Sequence, residues 1–185
     1  GKGGVGKSTL AASLSLIMAE RGTTVLAVDA DPDANLAAAL GFTLDELRAI
    51  IPISKQVELI EERTGAKVNQ YGQIFTMNPD VADISEKYAS SKHDVSLLVL
   101  GAIKRGGGGC ACPENVLLRA LVADLILYKD QTLVLDMEAG IEHLGRATVS
   151  GVDTMLIVVE PGMRSVEGAH RIVELGTEIG ISSFK

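Results

Sequence analysis

The sequence predicts a single α/β domain with a mostly parallel sheet covered by helices on both faces, and three observations predict it. Short apolar runs rich in β-branched residues alternate along the chain with stretches of helical spacing. The chain opens on a glycine-rich stretch of the form G-x-x-x-x-G-K-[ST], which leads into a helical pattern. At 185 residues there is room for one core of ordinary size and not for two.

Composition narrows the function. Seventeen basic against twenty-four acidic residues leave a formal charge of −7, so the chain lacks the electrostatic footprint of a nucleic-acid or anionic-lipid binder. With 46% apolar and 22% charged residues, three Phe, three Tyr and no Trp, the core must be aliphatic. Two cysteines cannot make a disulfide framework and no leader pattern opens the chain, which points to the cytosol. The longest apolar runs, 97–100 and 154–159, have the length of buried strands and not of a membrane span, so a soluble protein with no membrane partner is expected.

The elements follow in order. Thr9 to Arg21 has apolar residues at helical spacing and stops at Gly22, a C-terminal cap. Thr24 to Asp29 is a buried strand ending in an acid. Thr43-x-x-Glu46 has the capping-box spacing, and Ser54 to Thr64 carries apolar residues at 57, 59 and 60 before Gly65, so two short helices are expected. Gln73 to Met77 and Val95 to Leu100 read as strands, Pro113 to Tyr128 as a helix with Pro in its first turn, and Thr132 to Asp136 as a strand. Ile141 to Ser150 reads as helix, Thr154 to Val159 as strand and Ser165 to Ile179 as helix, after which Gly180 to Lys185 reads as the start of another strand. A phosphate loop is strung between a strand and a helix, and no strand precedes Gly1. The expectation is therefore one P-loop domain over 1–185, with its first strand missing and its C-terminus truncated.

Gly1, Gly6, Lys7 and Ser8 satisfy the loop pattern within Gly1-Lys2-Gly3-Gly4-Val5-Gly6-Lys7-Ser8-Thr9. Glycines let successive backbone N–H groups converge on phosphate oxygens, the lysine reaches the β and γ phosphates, and the hydroxyl ligates Mg²⁺. Carboxylates belong at the ends of neighbouring parallel strands, where such sheets place their ligands. Asp29, continuing to Asp31 and Asp33, ends one such strand, and Asp136 after Leu133-Val134-Leu135 has the form of a Walker B acid. An acid at a strand end also serves as a helix cap or turn former, and only the nearby phosphate loop favours the metal reading.

Lys2 turns the loop into K-G-G-V-G-K-S-T, which resembles the deviant Walker A signature of the MinD/ParA/nitrogenase-iron-protein class of ATPases. That resemblance implies ATP with Mg²⁺ and an ATP-sandwich homodimer. It makes Lys2 the lysine that reaches the partner's nucleotide, Lys7 the usual phosphate lysine and Ser8 a Mg²⁺ ligand. Asp29-Ala30-Asp31-Pro32 then matches the first switch, where Asp31 orients or deprotonates the attacking water, and Asp136 to Gly140 matches the second. The same resemblance implies that hydrolysis depends on Asp31, Lys2 and Lys7, while Ser8, Asp29 and Asp136 hold Mg²⁺.

Cys110-Ala111-Cys112 follows four glycines and directly precedes Pro113. A pair of buried small hydrophobes and a redox couple are the competing readings, and each fits poorly: the loop is glycine-rich, and dithiols usually take C-x-x-C spacing. Metal binding fits better. Two thiolates are half of a four-ligand site, and a twofold axis supplies the other half for one shared Ni²⁺ or Zn²⁺.

The combination is similar to the CooC-type ATPases that insert nickel during maturation of carbon monoxide dehydrogenase. The matching residues are the loop at 1–9, Val28 to Asp33, Gly106 to Asn115 with Cys-x-Cys-x-Glu-Asn, Asp136 to Leu144 and Val159-Glu160-Pro161. The resemblance implies a client nickel enzyme as partner. Glu142 and His143 read as polar residues of the switch helix. A MinD/ParA-like spatial-organisation switch, with its membrane or DNA contacts outside this chain, is the alternative. An iron protein with a bridging cluster ranks last, because both thiols share one loop and Ala139-Gly140 stands where that class places a cysteine.

Overall fold

The computed structural model describes residues 4–31, 33–68, 70, 72–101, 112–128, 131–137 and 151–185. Its centre is β1 (Val25–Ala30), whose alternating side chains feed two separate cores, as a strand covered on both faces requires. Val25 and Ala27 face α1 (Lys7–Glu20) and α2 (Leu36–Ala39), packing with Ala11, Ala12, Leu36 and Leu40. Leu26 and Val28 face the opposite layer. There Ile60 of α4 (Val57–Thr64), Ile84 of α5 (Ile84–Tyr88) and Leu117 and Leu121 of α6 (Pro113–Tyr128) complete the second core.

The sheet runs β2 (Ser90–Lys92), β3 (Val95–Val99), β1, β4 (Thr132–Met137). β1 is parallel to both β3 and β4, and among the described strands β2 alone is antiparallel, so the mostly parallel sheet expected from the sequence is present. His93 and Asp94, with φ of 51° and 59°, make the two-residue turn between β2 and β3. Positive φ at both central positions is what a tight hairpin needs to follow the twist of its strands.

Several predicted elements appear with shifted ends. The first helix runs Lys7–Glu20, and Gly22 follows with φ of 82°. Thr43 caps α3 (Leu44–Ala49) through the reciprocal bonds to Glu46 that the spacing predicts. The expected helix at 54–64 divides into a 3-10 turn, Ile53–Lys55, and α4. The last helix, α7, is Met163–Ile179. The helix expected at 141–150 lies outside the described residues.

Two expected strands are not formed. Gln73 to Met77 is irregular, with Ile74 almost fully exposed. Its polar groups are satisfied by neighbouring loop backbone and the end of α4: Thr76 N–H donates to Thr64 O, and the Gln73 amide brackets Lys67 and reaches Gln70 O. The edge position next to β3 goes instead to β2, three polar residues that carry no apolar alternation. Among the described residues, Thr154 to Val159 makes one parallel bridge, Met155 with Phe184, and stays outside the four-stranded sheet. Met155 and Ile157 donate to Ser183 O and Lys185 O, so the tail that reads as an incipient strand is its partner. Gly176 allows this, because a Cβ there would collide with the Phe184 ring.

Candidate functional site

The glycine-rich loop enters α1 through Gly4 and Gly6, at φ of 84° and 93°. These left-handed conformations are the reason the motif demands glycine, and they deliver the chain to a helix N-terminus whose free N–H groups favour an anion. Lys7 and Ser8 begin that helix, both half-buried. Lys7 and Asp136 line one cavity of about 660 Å³ between β4 and residues 151–158. Gly1, Lys2 and Gly3 lie outside the described residues, so the structure bears on the loop from Gly4 to Thr9 alone.

Asp29 and Asp136 are register partners on β1 and β4. Both are buried, at 0% and 3% exposure. One Asp29 oxygen accepts the Asp31 N–H at 3.1 Å and the other the Leu36 N–H at 2.9 Å, which ties the segment from Asp31 into α2 to the strand end. Burial nevertheless raises the Asp29 carboxyl to about 6, with the charges of Asp136 and Asp31 adding to the effect. Burial raises Asp136 as well, and Asp31 adds to this; the Ser8 hydroxyl and the Lys7 charge oppose it. Half-buried Asp31 accepts the Asp33 N–H at 2.9 Å through Oδ1. Ser8, Lys7, Asp29, Asp31 and Asp136 are thereby brought to one end of the sheet.

The residues present fit Mg²⁺. Oδ2 of Asp136 is buried with no hydrogen-bond partner among the described residues, beside a serine hydroxyl and next to a phosphate-binding helix end. Among the described residues no three Asp, Glu, His or Cys side chains form a metal cage. A cation that keeps several waters and shares phosphate oxygens does not need one.

The second cluster surrounds Cys112, half-buried at the start of α6. Its carbonyl accepts the Val116 N–H at 3.1 Å, its sulfur takes the Asn115 backbone N–H, and Glu114 contacts the thiol from the first helical turn. Burial pushes the thiol up, the Glu114 carboxylate adds to this, and the Asn115 N–H opposes it. Cys110, Glu142 and His143 lie outside the described residues. Glu114 enters the sequence reading only as the fifth position of the C-x-C-x-E stretch, and the structure leaves this charged residue 9% exposed.

Residues 1–180 match the CobQ/CobB/MinD/ParA nucleotide-binding domain. An uncharacterised ATP-binding protein of Methanocaldococcus jannaschii is 47% identical over 184 residues, spanning all of this chain and 70% of that protein. The carbon monoxide dehydrogenase accessory protein CooC of Rhodospirillum rubrum is 44% identical, again over the whole chain and 70% of its own length. Among solved structures, the MinD cell division protein of Aquifex aeolicus superposes with a TM-score of 0.56 at 25% identity. This chain is fully covered in that superposition and spans 64% of the solved one.

Proposed function

This chain belongs to the CobQ/CobB/MinD/ParA nucleotide-binding family and is an ATPase of its CooC type, and from that premise we propose that it is a nucleotide-gated carrier that delivers nickel to a carbon monoxide dehydrogenase-like client. The observation that carries the proposal is Cys112, the second thiol of a C-x-C pair, held at a helix start. A generic nucleotide switch has no use for paired thiols there.

Within this reading Lys7 and the N–H groups of the loop bind the triphosphate. Ser8, Asp29 and Asp136 hold Mg²⁺, and the open Oδ2 of Asp136 is the position with capacity for a ligand. Bound Mg²⁺ supplies charge neutralisation on the phosphates. Asp31 orients the attacking water and accepts its proton, and Lys2 of a second copy offsets charge at the departing phosphoryl group. The same homodimer brings two copies of Cys110 and Cys112 around one Ni²⁺ or Zn²⁺, so the nucleotide state governs whether the metal is held.

Equilibrium dialysis of the full-length protein against Ni²⁺ or Zn²⁺ tests this. About one ion per dimer is expected for wild type, and none for the Cys110→Ser/Cys112→Ser double variant. Equal uptake by the two removes the carrier reading and leaves a MinD/ParA-like switch. Asp31→Ala should bind ATP and dimerise while hydrolysing about 10²–10⁴-fold more slowly. A variant that stays monomeric with ATP counts against the sandwich.

A further inference from the structure

Three non-glycine residues among the described ones hold positive φ: His93 and Asp94 in the hairpin turn, and Ala34 at 46°. Histidine and aspartate tolerate the left-handed region, and the hairpin demands it. Alanine has no polar side chain to offset the clash of its Cβ with the backbone carbonyl, so the surrounding structure must hold it there. Four hydrogen bonds do so. The Ala34 N–H donates to Asp31 O at 3.0 Å and the Asp33 N–H to Asp31 Oδ1 at 2.9 Å, which closes a turn on Asp31. The Asp31 and Leu36 N–H groups donate to the two oxygens of Asp29 at 3.1 and 2.9 Å. Asn35 gives α2 no side-chain cap, so buried Asp29 caps that helix from the strand. Leu36 is fully buried, and Ala34 packs on the same core. Reversal of the chain at Ala34 brings the Leu36 N–H back to the strand end, seven residues after Asp29.

We propose that Ala34 is a positioning residue for hydrolysis: its left-handed backbone closes the ring of bonds from Asp29 to Leu36 and thereby fixes the Asp31 carboxylate where it meets the attacking water. The inference rests on the assignment of Asp31 to that water, made above. Asp31 is half-buried on the turn, and its carboxylate is oriented by the N–H of its own neighbour Asp33. The place of that carboxylate therefore follows the path of the backbone, and the path depends on Ala34 keeping a conformation that its side chain disfavours. A misplacement of about 1 Å in a group that handles the reacting water costs roughly a hundredfold in rate. Triphosphate binding belongs to Lys7 and the loop N–H groups, so a fault at Ala34 appears in turnover and not in affinity. Strain held in place by surrounding bonds is characteristic of segments that must present a group in one exact position.

The test is ATP hydrolysis by the full-length protein at saturating ATP, for wild type, Ala34→Asn and Ala34→Val. Rates are taken per ATP-binding site counted by calorimetry, so that any misfolded fraction drops out. Asparagine and valine are similar in size, but asparagine tolerates the left-handed region and β-branched valine does not. Ala34→Val should turn over about 10–100-fold more slowly than wild type with unchanged ATP affinity, and Ala34→Asn should stay close to wild type. A role in packing alone predicts the opposite order, because apolar valine suits a half-buried site better than asparagine does. In an Asp31→Ala background Ala34→Val should add no further loss, since the two residues act as a unit. Wild-type turnover in Ala34→Val overturns the proposal, as does slower turnover in Ala34→Asn than in Ala34→Val, or a full additional loss in the Asp31→Ala background. An Ala34→Val protein that no longer binds ATP also overturns it, because the residue then serves the fold as a whole. Should Asp31→Ala hydrolyse at the wild-type rate, the assignment of Asp31 itself fails; should Asp31→Ala be slow while Ala34→Val is not, that assignment stands and this one falls.

Discussion

Asp29 and Asp136 lie directly opposite each other on adjacent parallel strands, both buried, and each acid's charge is disfavoured by that burial. The two differ in their partners. Both oxygens of Asp29 are engaged by backbone N–H groups, whereas Oδ2 of Asp136 has no partner among the described residues. Asp29 thus also ties the segment that enters α2 to the strand end.

The Asp29 carboxyl, raised from 3.8 to about 6, ties stability to pH in the Mg²⁺-free protein. Between those values the folded state binds the proton and the unfolded state does not, so stability falls as pH rises through this window and levels off above it. The expected loss is about 3 kcal/mol. Urea midpoints measured from pH 4 to pH 7 without Mg²⁺ should show the decline, and Asp29→Asn should flatten it; an equally steep curve in the variant would refute the assignment.

Ser8 supports the Asp136 charge and belongs to the proposed Mg²⁺ set. Ser8→Ala should raise the Asp136 carboxyl further and weaken Mg²⁺-dependent nucleotide binding by roughly tenfold or more. Binding without Mg²⁺ should change much less, because the loop glycines and Lys7 remain. Calorimetric titrations with and without Mg²⁺ separate the two contributions, and an equal loss under both conditions speaks against Ser8 as a ligand.

Gly101 follows β3 at φ of 79° and packs on the 3-10 turn, where a Cβ would overlap Ser54 and Pro52. The Ser54 N–H is bonded to Leu100 O at 2.9 Å, so the turn has little freedom to retreat. Gly101→Ala should cost about 2–4 kcal/mol, combining backbone strain with overpacking. Gly168 in α7 has open space around it and should respond oppositely, with Gly168→Ala stabilising by about 0.5–1 kcal/mol. Thermal denaturation of both variants checks the pair.

The legible parts of the fold are those whose cause is local. The Thr43-x-x-Glu46 cap formed as spaced, because its bonds join residues three apart. The stop at Gly22 needed only a residue tolerant of positive φ, and the even burial of β1 shows in an unbroken apolar run. The failures share another cause. Ser90 to Lys92 carries no strand pattern and becomes β2 because the His93–Asp94 turn folds it onto β3. Thr154 to Val159 has the pattern and lacks a place in the sheet, since its backbone pairs with the tail at 183–185. In the site, the identities of Lys7, Ser8, Asp29, Asp31 and Asp136 were readable, and the buried Glu114 beside Cys112 was not.

The residue types along the chain by themselves determined the phosphate loop, the alternation of helix and strand, the acids at the strand ends and the paired thiols, because each depends on neighbours a few positions away. Only the tertiary structure decided that Asp29 faces Asp136, that one Asp136 oxygen has no partner among the described residues, and that Glu114 is buried beside Cys112. Those outcomes arise from which faces of distant segments bury against one another. Removal from water, which no single residue carries in its identity, then decides how each charge behaves.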